Sequence, residues 1–503
     1  MTIGALAPLF VHAAENGSAW AVVDPSGART WADVADDVAR TANALASLGI
    51  PRRSRVAVIG ENTYATLNAY AGASLAGFGV ILVNQMLTAP EIVHMLIDGD
   101  AGALWSDESH LAVAERAVSE VPGVKLLSAA ATSTWSEVVS AASTTPPTLD
   151  QAIDPDLGYT SGTTGKPKGV AVPREPAPTV RARLELAASH HSVGLGPHLV
   201  AGPLYHGGPH AAVGLLLHAT PVVLIGRFDA ERALAAIDRH RIATSVMVPT
   251  HFSRLLQLPE DDRLAYDVSS LRLVIQTGSP CPHPVKRAMI NWWGPVIRET
   301  YGGIESGPVA GISSEEWLAH VGSVGKAIAP IAIRVVAEDG SACGPGEDGL
   351  IYFDDPTGLG VVYRNDPAKT AAAHLFPGTF TLGDVGHLDL DGYLYLTTRR
   401  DDLVLSGGVN LYPAEAESAL VEHPAVTEAA CFGVPDDDLG ERLVGVITTS
   451  DPTLTVDDVI AFCRERLARQ KVPRELHLVD AIPTSAMGKI DRRSLRATYG
   501  STP

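Results

Sequence analysis

The spacing of apolar positions changes along the chain, and those changes divide it into elements. Behind Thr30, Val34, Val38 and Leu45 recur near helical spacing. Thr30 can cap such a helix and Gly49 can stop it, so the pattern predicts a helix from Trp31 to about Leu48. Arg55-Val56-Ala57-Val58-Ile59-Gly60 is a short continuous apolar run and reads as a buried strand. A helical stretch from about Tyr64 to Leu75 and a strand over Gly79 to Val83 repeat the alternation, which favours parallel α/β sheets. Ser128 to Pro147 is rich in Ala, Ser, Thr and Pro and reads as a surface connection.

A second α/β run occupies roughly 198 to 300, with a helix opening at Asp229 and running to about Arg241, then strands over Ser245–Val248 and Leu271–Gln276. From about 323 to 398 the texture becomes that of a small β subdomain: strand-like runs at Ile331–Val336, Gly349–Phe353 and Tyr393–Thr397 alternate with Gly, Pro and Asp turns. Beyond the charged link Arg399-Arg400-Asp401-Asp402, about a hundred residues carry their own pattern. Pro413 suits a first helical turn, Leu443–Thr448 a strand, and Thr455 caps a helix from Val456 to about Ala468. The expected organisation is α/β, with a large domain over 1–400 built of α/β subdomains plus the small β subdomain, and a smaller mobile α/β domain over 401–503.

A length of 503 residues supports more than one core. With 46% apolar and 19% charged residues the composition is that of a globular enzyme. A net charge of −19 argues against a nucleic-acid partner, which would want clustered Lys and Arg. Cys281, Cys343, Cys431 and Cys463 are far apart and lack metal or CxxC spacing, which suggests a reducing cytoplasm. No basic, apolar leader is visible at Met1–Ala5, and the apolar run Ala211–Ile225 is interrupted by His218 and Pro221 and too short for a bilayer. Oligomeric state is not written in the sequence.

Candidate chemistry concentrates in Tyr159-Thr160-Ser161-Gly162-Thr163-Thr164-Gly165-Lys166-Pro167-Lys168-Gly169-Val170. Glycines allow close backbone approach to a ligand, hydroxyls and N–H groups can cradle phosphate oxygens, and lysines add positive charge. The pattern is not a Walker A loop, because Gly165-Lys166 is followed by Pro167 rather than Ser or Thr. A loop between two strands is the expected setting.

This stretch closely resembles the phosphate loop of the adenylate-forming superfamily, which contains acyl-CoA synthetases, luciferases and peptide-synthetase adenylation domains. Further motifs extend the resemblance over most of the chain. Tyr301-Gly302-Gly303-Ile304-Glu305 is similar to the family's Tyr-Gly-x-Thr-Glu block: the resemblance implies that Tyr301 stacks on adenine and that Glu305, with Thr160, serves Mg²⁺. Ile304 departs from the pattern and lacks the hydroxyl. Thr277-Gly278-Ser279-Pro280 resembles the turn that borders adenine and the acyl group. Phe380-Thr381-Leu382-Gly383-Asp384 resembles the Thr-Gly-Asp block, with Asp384 on the ribose hydroxyls and Arg399 reaching ribose or phosphate. Asp401 falls at the family's hinge. Ser406-Gly407-Gly408 matches the loop lining the pantetheine tunnel, and Lys489 matches the lysine on the substrate carboxylate and α-phosphate. Lys471 also matches a family position. His206, in Pro203-Leu204-Tyr205-His206-Gly207-Gly208, borders the acyl site in relatives; taken alone, such a histidine is more often a satisfied core or loop residue. With Gly207, Gly208, Gly302 and Gly303 it would form the acyl pocket. His190-His191 reads as exposed rather than metal-binding.

The resemblance implies an AMP-forming acyl-CoA synthetase using ATP, Mg²⁺ and coenzyme A on a hydrophobic acid, fatty or aryl/alicyclic. Trp292-Trp293-Gly294-Pro295 and Gly322-Ser323-Val324-Gly325 are similar to the bile-acid subgroup. Two alternatives stay open: a ligase that stops at acyl-AMP or loads a carrier protein, and a non-catalytic nucleotide-binding relative, which Ile304 favours.

Overall fold

A computed structural model describes residues 4–131, 133–160, 168–172, 179–358, 360–399, 404–406, 409–411, 413–436, 439–467, 469–484 and 490–500. The chain forms two compact units, each discontinuous: residues 1–278, 289–308 and 361–372 make the first, and residues 279–288, 309–360 and 373–503 the second.

The first unit holds two sheets. One is a 6-stranded sheet in the order Lys125–Ser128, Ala101–Ser106, Arg55–Ile59, Val80–Leu82, Asp156–Thr160, Lys168–Val172. Its pairs are parallel except the last, which is antiparallel. The strand Arg55–Ile59 shows why the run was continuously apolar. Val56 and Val58 point into one core with Trp31, Val34 and Val38, whereas Ala57 and Ile59 point into another with Ile81, Ile92 and Leu104. Successive residues alternate faces, so a sheet covered on both sides needs apolar residues at every position. The helix Trp31–Ser47 begins at a Thr30–Asp33 capping box, and Tyr64–Leu75 begins at Thr63, whose hydroxyl accepts from the Thr66 N–H.

The other sheet runs Ile297–Gly303, Leu273–Gln276, Thr244–Met247, His198–Val200, Val222–Leu224, Trp20–Asp24, Gly27–Thr30. Every neighbouring pair is parallel except the final hairpin. The apolar run at 211–225 belongs to the helix Gly207–Leu217 and the strand Val222–Leu224, separated by Ala219 in a left-handed conformation at φ +59°.

Residues 361–372 return to this unit late in the chain. Arg364 donates its N–H to the Gly169 carbonyl (3.0 Å) and its side chain to the Asp98 carbonyl (2.6 Å). Asn365 donates to the Asp98 carboxylate at 2.9 Å. Asp98 also accepts from the Tyr159 hydroxyl at 2.9 Å, so this strap holds both strands that flank residues 161–167.

In the second unit an antiparallel sheet follows the order Ala332–Val336, Gly349–Asp354, Thr379–Leu388, Leu394–Arg399, Ser323–Ala327, Gly307–Ile312, the last strand starting in the first unit. This is the expected β subdomain. A 5-stranded sheet follows, with Val409–Leu411, Val404–Ser406, Gly440–Thr449 and Val426–Asp436 in order and Glu475–Leu478 beside Gly440–Thr449. It buries both faces. Val404, Leu420, Cys431 and Cys463 lie in one core; Ala430, Phe432, Ile482 and Leu495 lie in the other.

Three expectations need correction. The stretch 128–147 is not all connection: Thr134–Ala141 is helical, capped by the Ser133 hydroxyl and anchored by buried Trp135. The helix from Val456 ends at Arg464 rather than near 468. His190 is half-buried, its Nδ1 accepting from the Ser192 N–H at 3.2 Å.

Candidate active site

In the first unit the motif residues gather along one edge. Strands His198–Val200, Thr244–Met247, Leu273–Gln276 and Ile297–Gly303 are parallel neighbours. His206–Gly208, Thr277–Gly278 and Tyr301–Glu305 lie at or beyond their carboxyl ends, where open α/β sheets bind ligands. Thr277 ties two of these ends together, its hydroxyl donating to the Thr300 carbonyl at 3.1 Å and its N–H to the Met247 carbonyl at 3.1 Å. Gly278 follows at φ +93°, a conformation suited to glycine.

Tyr301, Gly302 and Gly303 end their strand, and residues 304–306 turn the chain into Gly307–Ile312. The turn is closed by Ser306, whose N–H donates to the Gly303 carbonyl (3.3 Å) and whose hydroxyl accepts from the Gly303 N–H (3.0 Å). A Cβ on Gly302 would stand 2.0 Å from the Gly307 carbonyl oxygen, so glycine is required by close backbone approach. Glu305 is half-buried in this turn. Among the described residues no group of three or more His, Cys, Asp or Glu side chains could hold a metal ion. A Mg²⁺ carried on nucleotide phosphates needs only one or two protein oxygens, which a single carboxylate such as Glu305 fits.

His206 stands at the N-cap of the helix Gly207–Leu217, half-buried, with its ring 4.6 Å from that of Tyr205. Burial, and then the Glu61 carboxylate, pushes the Tyr205 hydroxyl up to about 12. The small residues after His206 have distinct reasons. A Cβ on Gly208 would meet Val246 Cγ1 at 2.9 Å, whereas one on Gly207 would find Ile304 Cγ1 at 3.9 Å, ordinary contact. His206, Gly207, Gly208, Val246, Thr277 and Ile304 are thus brought together, with the Ile304 Cγ1 methylene toward the helix start.

The strands Asp156–Thr160 and Lys168–Val172 pair antiparallel with Thr160 opposite Lys168, so the glycine-rich stretch joins two strands as expected. Ser161, Gly162, Thr163, Thr164, Gly165 and Lys166 lie outside the described residues, as do Asp401, Gly407, Gly408 and Lys489.

In the second unit, Ser279 and Pro280 are exposed. Asp384 is buried on Thr379–Leu388, directly opposite Arg399 in the register with Leu394–Arg399. The two residues expected at ribose are therefore backbone partners in one ladder. Ser406 pairs with Val409. Lys471 reaches Glu415 at 2.6 Å in the first turn of the helix Pro413–Val421.

Sequence reasoning passed over Asp156, which begins the strand leading into the phosphate stretch. It accepts from the Val80 N–H (2.8 Å) and from Arg183 (2.9 Å), and His210 Nε2 lies 3.6 Å away. Burial pushes its carboxyl up, but the Arg183 charge and the bonds from His210 and Val80 prevail and hold it below the usual range. With Asp150 and Asp154 just upstream and Leu157-Gly158-Tyr159 behind it, nothing in the sequence set it apart. Asn62 was missed too, with no local signal, since its partners are distant in sequence.

Comparison with known proteins agrees with this arrangement. The family model described as AMP-binding enzyme matches residues 9–362, and that of the AMP-binding enzyme C-terminal domain matches 415–489. A feruloyl-CoA synthase of an Amycolatopsis species is 32% identical over 487 residues, covering 94% of each chain. The o-succinylbenzoate coenzyme A synthetase MenE of Bacillus subtilis, in complex with ATP and magnesium ion, superposes with a TM-score of 0.80 at 27% identity, covering 97% of this chain and 99% of that one. The amide bond synthetase McbA of Marinactinospora thermotolerans gives 0.83 at 26%, over 95% and 97%. With its first 9–362 and later 415–489 residues matched and its motifs set on adjoining strand ends, the chain belongs to the AMP-binding enzyme family of adenylate-forming ligases.

Proposed function

We propose that the protein is an ATP-dependent carboxylate–CoA ligase for a hydrophobic acid with an aryl, alicyclic or longer alkyl body. The observation that carries this is the meeting of His206, Gly207, Thr277 and Ile304 at one sheet edge next to Tyr301 and Glu305. In the first half-reaction a carboxylate oxygen attacks the α-phosphorus of ATP and pyrophosphate leaves. In the second the CoA sulfur attacks the acyl carbon, its proton is lost, and AMP leaves. Mg²⁺, when bound with the nucleotide, neutralises phosphate charge beside Glu305 and Thr160.

Residues Thr160, Ser161, Gly162, Thr163, Thr164, Gly165, Lys166 and Lys168 cradle the phosphates in this reading, while Tyr301, Gly302, Gly278, Ser279 and Pro280 border adenine, and Asp384 and Arg399 take the ribose. Lys489 supplies positive charge to the adenylation step. Ser406, Gly407 and Gly408 line the path of pantetheine. The catalytic division falls at Asp401, between 1–400 and 401–503. Separate cores built wholly from residues 404 onward support that boundary, because an independently moving body needs its own buried apolar set. The four cysteines are free thiols, which supports a cytoplasmic setting, and no described helix is long and apolar enough to cross a membrane.

The test is AMP and pyrophosphate formation from ATP and Mg²⁺ over a panel of acids, with and without CoA. Hexanoate, benzoate and larger acids should exceed acetate in kcat/KM, each buried methylene contributing about 0.8 kcal/mol. Acetate or propionate as the best substrate overturns the apolar pocket. Product formation that ignores CoA but follows an added amine or carrier protein overturns CoA as the acceptor.

A further inference from the structure

Asn62 lies between the strand Arg55–Ile59 and the helix Tyr64–Leu75, buried to 8% of its accessible surface. Its Nδ2 donates to the Gly202 carbonyl at 2.8 Å and to the Gly226 carbonyl at 3.4 Å. Its Oδ1 accepts from the Leu204 N–H at 2.9 Å. One amide thus grips the segment 202–204 from two sides and ties it to the end of Val222–Leu224. The next turn passes that fixation on, because the His206 N–H donates to the Pro203 carbonyl at 3.0 Å. The far side of the segment is packed, since a Cβ on Gly202 would stand 3.0 Å from Pro209 Cγ. Among the described residues, none of these three bonds involves an expected nucleotide group.

We propose that Asn62 is a positioning residue for the acid: it sets the place of His206, Gly207 and Gly208 without contacting substrate. The proposal rests on the reading of that segment as the acyl wall. An amide suits the task because it offers a donor to one backbone carbonyl and an acceptor to an N–H two residues on. An apolar side chain of similar size offers neither and leaves the Leu204 N–H unpaired.

Three measurements test it. In Asn62→Leu, kcat/KM for the acid should fall by about 10–100-fold, the scale of an ångström-size misplacement, with the KM for ATP changed by less than about twofold. Amide hydrogen exchange at Leu204 should be slow in the wild type and fast in this variant. In Asn62→Asp, the ionised carboxylate accepts from Leu204 but sets a charged oxygen against the Gly202 and Gly226 carbonyls. Burial and those carbonyls raise its pKa, and once protonated it can donate to Gly202 as the amide does. Its deficit relative to wild type should therefore shrink as pH falls, by about threefold or more between roughly pH 8 and 6. Glu61, Asp107, Asp24, Tyr205, His206 and His251 surround the site in both proteins, so the variant-to-wild-type ratio isolates residue 62.

A lowered melting temperature with unchanged kcat/KM for the acid, or equal rises in the KM for acid and ATP, would reduce Asn62 to a structural group and overturn the proposal. So would an Asn62→Asp deficit that ignores pH. Should Asn62→Leu not fold, the pH response of Asn62→Asp decides. If the wild type activates no acid at all, the ligase reading fails separately, and Leu204 exchange in the two variants still shows whether Asn62 holds the segment.

Discussion

Gly302→Ala should disable acid activation by forcing open the turn that carries Tyr301, Ile304 and Glu305. The new methyl would stand 2.0 Å from the Gly307 carbonyl oxygen, 2.9 Å from its carbon and 3.0 Å from Pro308 Cα. A carbon and a carbonyl oxygen settle at about 3.3–3.6 Å, so the strands must part by more than about 1 Å. All three obstacles are backbone atoms, which cannot rotate away as a side-chain tip could. Overpacking of this kind costs about 1–3 kcal/mol, and the rigidity of the neighbours places it toward the upper end. A misplacement of about 1 Å near reacting groups can lower the rate by about 10²-fold. Gly207→Ala is the matched control, because its methyl meets only Ile304 Cγ1 at 3.9 Å. Thermal unfolding should separate the pair, the first variant losing several degrees and the second few, and single-turnover pyrophosphate release should show the first losing most of its adenylation. Wild-type melting and adenylation in Gly302→Ala would refute the steric argument.

The other expectations are briefer. Ile304→Thr should speed adenylate formation by about tenfold, near the lower end of a charge-assisted hydrogen bond at about 1.5–3 kcal/mol; an unchanged or slower single-turnover rate would mean the pocket has adapted to isoleucine. The depressed Asp156 carboxyl contributes stability that is present above its unfolded value, near 3.8, and is lost as pH falls through the lower folded value. Asp156→Asn should therefore be less stable than wild type at neutral pH, with the gap in melting temperature narrowing below about pH 4; a constant gap would count against an ionised Asp156. Lys489→Ala should cut adenylation by about 10²–10³ while sparing transfer from supplied acyl-AMP to CoA. Gly408→Leu should do the reverse, and equal loss of both steps in both variants would reject domain alternation.

What could be read from the sequence was what is local. The Trp31–Ser47 helix was legible because its cap Thr30 and its stop Gly49 are neighbours of it in the chain. The motif at 301–305 was legible because its chemistry is contiguous. Thr134–Ala141 was obscured by its Ala/Ser/Thr composition, although Ser133 caps it and Trp135 buries. Asn62 and Asp156 carried no legible role. Gly202 is 140 positions from Asn62, and Arg183 is 27 from Asp156, so their bonds exist only after the sheets assemble. Gly302 and Gly207 likewise look alike in sequence, and only the neighbour at each Cβ position tells necessity from convenience.

The strap at 361–372 bears on how the protein is made. Its contacts to Asp98 span 266 and 267 positions, so the strands bracketing the phosphate stretch are held by a segment synthesised long after them. Domains tend to fold as units as they emerge during synthesis, and contacts of such separation close late. A nascent chain that has reached residue 308 has every strand of both sheets in the first unit, yet it lacks the Arg364 and Asn365 contacts to Gly169 and Asp98. The end of the first unit that bears these two strands is therefore completed only after part of the second unit has been translated. That order leaves Gly169 and Asp98, beside residues 161–167, without these late partners while the rest of the first unit is already in place.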